Sequence, residues 1–438
     1  MAILSQEDAK KLIDKVLSYS KADEIKVELT GGRAGNIRFA RNSVSTAGAS
    51  NTLSLSVTSV LGKKTGTSDI NEFDDASLEK AVRRAEEMAR LAPENPEYVP
   101  MPGPQTYAQS QAFVDTTANM SAPDRAKLAG ASIKSIMASQ LSGAGFLEDS
   151  ANFNAIGNNK GLVGYHKSTS VDFSLTIRTP DGTGSGYAAG DFNDVSKLNT
   201  GALTDVAIQK AKASQKAIAL EPGKYTVILE PLAAGELVQF MVRAMDARTA
   251  DEGRSFLSKK GGGTRLGEKI LDERVSIYSD PANVQIPGSP FSSEGYAHEK
   301  VTWFDKGVVK NMTYSPYWAQ QKGVKPLLQP SGFVMEGGTQ SLAELIKGTE
   351  KGILVTRFWY TRWLDPQTLL YTGLTRDGTF YIDKGQIKYP VKNFRFNESP
   401  VIMLNNLEAL GIPVRTRGNL VPPMRIRDFT FSSLSDAV

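Results

Sequence analysis

Thr356-Arg357-Phe358-Trp359-Tyr360-Thr361-Arg362-Trp363 is the densest aromatic-basic run in the chain. It is rich in aromatic and β-branched residues and holds no glycine or proline, which predicts a strand. On a regular strand Arg357, Trp359 and Thr361 share one face, and Phe358, Tyr360 and Arg362 share the other. Such a run suits a peptide groove or base stacking. A two-sided buried strand at a domain or subunit contact explains it equally well. The segment around it, from Lys224 onward, opens on an apolar strand over 225–229 and a helix over about 232–245. Beyond these it is mostly β, with hairpin signals at Asp305-Lys306-Gly307, Asp377-Gly378 and Lys384-Gly385.

Upstream, helical and strand patterns alternate. Ser5 ahead of Gln6, Glu7 and Asp8 predicts a capped helix to about Leu17. Strands are expected over 24–30, 36–40 and 53–61, and Leu78, Ala81, Val82, Ala85 and Met88 stripe a helix over 75–91. Five prolines in 92–105 mark a linker. Helices over 122–137 and 204–219 flank Ser/Thr/Gly-rich alternation over 143–191, which reads as antiparallel hairpins. The expected fold class is α+β, with four segments: an N-terminal α/β part (1–92), a linker (93–105), a middle α+β region (106–221) and a β-rich C-terminal domain (222–438).

Composition narrows the chemistry. The 438 residues include no cysteine and two histidines, His166 and His298. Zinc sites built from His and Cys need several such ligands at one point, so no metal site is expected in this chain. Apolar content of 40% and charged content of 22% are globular values. A net charge of +4 from 51 basic and 47 acidic residues, spread along the chain, argues against direct nucleic-acid binding. The first residues lack the basic and apolar regions of a signal peptide, and no apolar run approaches 18 residues, so no membrane span and a cytoplasmic location are expected.

The local motifs are weak. His298-Glu299 begins a zincin-like pattern, but Thr302 stands where the second histidine belongs, and the following residues alternate like a strand. His166 lies on another expected strand with nothing to make it a catalytic base. The stretch 261–267, GGGTRLG, misses the dinucleotide spacing, and Gly62-Lys63-Lys64-Thr65 lacks the first Walker glycine; both read as loops. Paired carboxylates are too numerous to select from.

The stretches 352–366 (GILVTRFWYTRWLDP) and 371–380 (YTGLTRDGTF) resemble the TldD/PmbA family, nearer its TldE branch. Supporting blocks are 255–258 (SFLS), 266–269 (LGEK), 277–281 (IYSDP) and 287–291 (PGSPF). The resemblance implies a heterodimeric zinc protease that degrades unfolded or extended peptides and trims peptide precursors, long labelled a modulator of DNA gyrase. The zinc of the TldD subunit is implied to sit on a His-Glu-x-x-x-His helix completed by a cysteine. In this chain the matching positions are approximately Val238, Gln239 and Arg243, and the segment 231–258 holds no histidine. The resemblance therefore implies a non-catalytic, TldE-like subunit, with zinc only in a TldD-like partner. Arg357, Trp359, Tyr360, Arg362 and Trp363 are its candidates for peptide or interface contacts, with a homodimer as the alternative for the isolated chain. Two other readings are a regulatory protein on the gyrase pathway and an independent homodimeric hydrolase.

Overall fold

The computed structural model describes residues 3–435. Met1-Ala2 and Asp436-Ala437-Val438, the margins of the first and last segments, lie outside the described residues. The fold is α+β. Its first half is one antiparallel sheet, in the order β3-β2-β1-β4-β5-β6. The strands are β1 (Glu24–Ala40), β2 (Ser43–Leu61), β3 (Lys64–Ile70), β4 (Ser142–Asn158), β5 (Val163–Arg178) and β6 (Ser185–Phe192). Because β1 pairs with β4 from Lys26–Asn158 to Phe39–Gly145, the segments 1–92 and 106–221 share this sheet.

The two strands expected over 24–30 and 36–40 are one continuous strand, which is a correction. Gly31, Gly32 and Gly35 broke the sequence pattern, yet two of them are needed for close approach. A Cβ on Gly32 would lie 2.0 Å from the Asn152 side chain, and one on Gly35 would lie 2.2 Å from the Arg125 guanidinium. Arg125 reaches across β1 to Asp149 at 2.6 Å, with both side chains nearly buried.

Four long helices cover the sheet. Gln6–Ser18 and Asp75–Leu91 pack Ala9, Ile13, Val16, Leu78, Ala81 and Val82 against Val27, Leu29 and Val57. Each buried Val, Leu or Ile among them contributes about 1.5–3 kcal/mol relative to exposure, and each Ala less. Ala122–Ala138 is held by a capping box between Ser121 and Asp124. The helix expected over 204–219 runs Thr200–Ala213 instead, because Asn199 caps it by accepting from the Ala202 N–H at 2.9 Å.

The second half contains β7 (Gly223–Leu229), β8 (Ile277–Ser279), β9 (Val301–Asp305), β10 (Val308–Val309), β11 (Val334–Met335), β12 (Lys351–Asp365), β13 (Leu370–Asp383), β14 (Gln386–Pro390), β15 (Phe394–Glu398), β16 (Leu407–Leu410), β17 (Val414–Thr416), β18 (Asn419–Val421) and β19 (Met424–Leu434). The smaller sheet has the order β10-β9-β8-β11-β18-β17. The larger has the order β12-β7-β19-β15-β13-β14, and an additional β12–β13 pairing closes five of its strands into a barrel. Phe358 on β12 and Phe396 on β15 have ring centroids 4.3 Å apart, although their strands are not neighbours in the ring, so the contact crosses the interior. Phe394, Phe429 and Phe431 are also buried, and the barrel is a packed core.

Asp377-Gly378 is not a hairpin, again a correction. It lies inside β13 as a bulge opposite Val355–Arg357, with φ of +56° and +125°. The signals at Asp305-Lys306-Gly307 and Lys384-Gly385 do join strands, β9 to β10 and β13 to β14. The linker lies against the first sheet: Glu24 accepts from the Tyr98 hydroxyl at 2.6 Å and from the Met101 N–H at 2.8 Å. Arg248 and Glu97 then tie it to the second half at 2.8 Å.

Candidate functional site

The candidate strand β12 divides into two environments. Residues 352–356 are buried within the barrel, whereas Trp359, Tyr360, Trp363 and Leu364 are exposed beyond it. The simple alternation of faces fails, because the pairing with β13 shifts between Val355 and Arg357 and again between Trp359 and Arg362. Tyr360 sits at the second shift with φ of +59°, the left-handed region that a non-glycine residue seldom adopts. Phe358 is consequently buried in the core while Tyr360, expected on the same face, is 59% exposed.

The five candidates on β12 therefore do different work. The Arg357 Nε donates to Asp377 at 2.7 Å, and its guanidinium lies 3.9 Å from the Tyr187 ring centre on β6. Asp377 also accepts from the Ser185 hydroxyl, so this trio bolts the first sheet to the barrel. Trp359 packs under the Arg376 guanidinium at 3.8 Å, and Arg362 stacks on Tyr360 at 4.1 Å. Trp363 stacks on Tyr371 (6.4 Å between centroids, 10° between planes), and Tyr371 stacks on Phe240 (4.6 Å, 10°). This aromatic ladder leads from the exposed end of the hairpin to the helix Pro231–Arg243.

That helix carries the other three candidates. Val238 is fully buried among Leu237, Met241 and the barrel core, Gln239 is half-buried, and Arg243 is exposed at the last turn. Arg243 and Trp363 line one cleft of about 510 Å³, together with Asp246, Thr249, Arg254 and Asp365. Gln367 spans the gap by donating to the Gly253 carbonyl at 3.1 Å. Asp365 is held below the ordinary carboxylate range by bonds from the Thr368 hydroxyl and the Gln367 N–H. A carboxylate tuned that way is a poor general base at neutral pH. The cleft presents two guanidinium groups, two carboxylates and the Trp363 indole, with Arg254 paired to Glu252.

The donor chemistry does not fit zinc. An aliphatic, an amide and a guanidinium occupy the positions 238, 239 and 243, and none of these groups binds zinc strongly. His166 lies on β5 opposite Asn154, with its pKa lowered by burial. His298 precedes β9, with Nδ1 hydrogen-bonded at 3.0 Å to the Ser289 carbonyl oxygen. Among the described residues, no cluster of three or more His, Cys, Asp or Glu is placed to hold a metal ion.

A second cleft of about 160 Å³ lies between β4–β6 and the start of the same helix, lined by Phe146, Asp172, Tyr187, Asp191, Leu232 and Arg417. Glu148 faces Asp172 across β4–β5, and Asp172 faces Asp191 across β5–β6. Burial first, then the charges of Asp191 and Glu148, push Asp172 up to about 6, with Arg415 opposing. The folded chain thus holds this proton at a pH where the unfolded chain has lost it. Stability from this group is full below about pH 4 and declines as pH rises through about 6. Asp172→Asn is expected to flatten that slope and to raise stability at pH 7, measured by urea unfolding at pH 4, 5, 6 and 7. An unchanged slope would contradict the assignment.

Of the residues that sequence reasoning did not single out, Tyr371 and Asp377 lay within the family-resembling stretch 371–380, Asp377 also as a turn signal, and Phe240 and Tyr187 carried no signal.

Comparison with known proteins places this geometry. Family models described as PmbA/TldA metallopeptidase domain 1, central domain and C-terminal domain match residues 27–89, 102–220 and 222–433. Metalloprotease PmbA of Escherichia coli O157:H7 is 25% identical over 173 residues, 37% of this chain and 37% of that protein. A metalloprotease of Archaeoglobus fulgidus is 32% identical over 108 residues, 24% of each. The chain thus spans less than half the length of the curated relatives it matches. Among solved structures, TldE from Thermococcus kodakarensis superposes with a TM-score of 0.88 at 17% identity, covering 98% of this chain and 100% of that one. A protein described as a modulator of DNA gyrase, from Bacteroides thetaiotaomicron, gives 0.86 at 23% identity over 99% and 100%. At these identities the structural likeness is one of fold, while the three family models together span nearly the whole sequence. The chain belongs to the PmbA/TldD metallopeptidase family.

Proposed function

We propose that this chain is a non-catalytic subunit of a TldD/TldE-type metalloprotease, with zinc carried by a TldD-like partner, and that the assembly acts on unfolded or extended peptides. The observation that carries the reading is the helix Pro231–Arg243, whose candidate positions hold Val238, Gln239 and Arg243 in a chain with no cysteine. The exposed end of β12 and the cleft beside Arg243 support a binding role, since they offer exposed aromatic and charged surface. On this reading the subunit contributes a wall against which an extended peptide lies. Main-chain pairing would then hold peptides of many sequences, because backbone hydrogen bonds do not read side chains.

Zinc content tests the reading. After dialysis against zinc and then buffer, the isolated chain is expected to retain no stoichiometric metal by mass spectrometry of the digested protein. One zinc per chain would overturn it.

A further inference from the structure

The first sheet and the barrel do not close on one another everywhere. Beside the Asp377 bolt they leave a cavity of about 290 Å³, near the lower end of the range for small-molecule sites, about 300 Å³ upward. One side is the β5–β6 turn, through Asp181 and Thr183, with Ser214 and Lys216 from the chain just past the helix Thr200–Ala213. The other side is Thr379 on β13, with Lys392 and Asn393 from the loop between β14 and β15. The two sides are stitched at Ile218, whose N–H donates to the Pro390 carbonyl at 2.9 Å and whose carbonyl accepts from the Lys392 N–H at 3.0 Å.

The polar groups of this lining differ in what they still offer. Asp181 accepts from the Thr179 hydroxyl at 2.6 Å, the Thr183 hydroxyl at 2.8 Å and the Thr183 N–H at 3.1 Å. Those bonds hold its carboxyl below the ordinary carboxylate range. Asp377 is engaged by Arg357 and the Ser185 hydroxyl. The Ser214 hydroxyl donates to the Ser185 carbonyl at 2.8 Å, and the Thr379 hydroxyl donates within the Thr375–Asn393 pair at 2.9 Å. Both carboxylates thus have their donors, and these hydroxyl protons are committed. The lone pairs of the hydroxyl oxygens remain to accept from a ligand.

Lys216 is the exception. Its side chain is exposed and lines the cavity, and among the described residues its ammonium makes no ion pair or hydrogen bond. Its backbone has φ of +54°, the left-handed region where glycine is the usual residue past a helix end. The Lys216 N–H donates to the Thr183 hydroxyl at 3.3 Å, so the β5–β6 turn fixes that conformation. A lysine kept where glycine is favoured points to a use for its side chain. Lys392 adds a second positive charge to the wall.

We propose that this cavity binds a small phosphomonoester with a hydroxylated body, its phosphate on Lys216 and Lys392 and its hydroxyls on the lining oxygens. Lysine meets phosphate as a point charge. Such a ligand touches both halves of the chain at once. The site lies apart from the end of β12 and the Arg243 cleft, and stands independently of the subunit reading above.

Isothermal titration of the full chain at fixed ionic strength tests it. Glucose 6-phosphate is expected to bind at one site with Kd below about 1 mM, inorganic phosphate more weakly, and glucose not at all. Lys216→Gly removes the ammonium and suits the left-handed turn, so it is expected to fold with an unchanged or higher melting temperature. It is expected to weaken glucose 6-phosphate at least about ten-fold, whereas Lys216→Arg, which keeps the charge, stays within about three-fold. Lys388→Ala, on β14 outside the lining, is expected to bind as wild type. No binding of either phosphate probe by the wild-type chain would overturn the proposal, as would equal binding by Lys216→Gly. Inorganic phosphate or glucose binding as tightly as glucose 6-phosphate would overturn the ligand class. An equal loss in Lys388→Ala would show only diffuse surface charge and overturn the site.

Discussion

Asp377→Ala is expected to destabilise the chain by about 3–5 kcal/mol, the cost of stranding one member of a buried ion pair. The Asp377 carboxylate is fully buried and the Arg357 side chain is only 15% exposed. The carboxylate accepts from the Arg357 guanidinium and from the Ser185 hydroxyl, and Arg357 lies on the Tyr187 ring. Three elements, β6, β12 and β13, thus meet at one carboxylate. Removing it leaves a guanidinium pressed between an aromatic ring and the barrel with no counter-ion. Asp377→Asn keeps one acceptor and loses the charge, so a smaller loss is expected. The measurement is the urea midpoint at constant m-value. A shift worth less than about 1 kcal/mol in the alanine variant would show that solvent reaches Arg357 and that the bolt between the two halves is weak.

Tyr360→Ala/Trp363→Ala is expected to behave in the opposite way, sparing the fold and crippling recognition. Tyr360 and Trp363 are 59% and 58% exposed, and neither closes the barrel. Exposed substitutions usually shift stability by no more than about 0.5 kcal/mol, although loss of the stack on Tyr371 will add slightly to that. Aromatic side chains rigidly presented by a strand are the residues that dominate interfaces, at about 2 kcal/mol or more each when buried by a partner. That corresponds to about thirty-fold in affinity for each residue, and to several hundred-fold (roughly 4 kcal/mol) for the double variant if the two add, for a TldD-like subunit or for an extended peptide. Fluorescence anisotropy with each ligand would read the loss, with Arg362→Ala as a milder neighbour because its contact in the free chain is the Tyr360 ring. Unchanged affinity for both ligands would remove the exposed end of β12 from the functional surface.

What the sequence disclosed followed from local chemistry. The helices Gln6–Ser18 and Asp75–Leu91 were legible because Ser5 opens the first and an apolar stripe marks the second, whereas Ala122–Ala138 buries Arg125 and Ser132 beside Ala129 and Ile136. The alternation of Leu55, Val57 and Ser59 was legible because one face of β2 is buried there. Its first ten residues were illegible, since they bury neither face and so carry no period. β1 was split by glycines whose reason, the approach of Arg125 and Asn152, lies in other elements. Asp377-Gly378 has the composition of a turn, and only the opposing register of β12 shows it to be a bulge. The shift beside Tyr360 defeated the two-face reading of the same strand.

The candidate site shows the same division. The absence of histidine from 231–258, and of cysteine from the chain, was legible without any coordinates. The cleft that joins Arg243 to Trp363 depends on the bend at Tyr360 and on the Phe240–Tyr371–Trp363 ladder, which connect positions far apart in the chain. No helix among the described residues is long and apolar enough to cross a membrane, in keeping with the absence of a long apolar run.

The most direct measurement is cleavage of an unstructured fluorogenic peptide by this chain alone and by this chain mixed with a TldD-like subunit, each with and without a chelator. The account predicts turnover only in the mixture, abolished by the chelator. Chelator-resistant turnover by the chain alone would contradict it, and would return attention to His166 and His298.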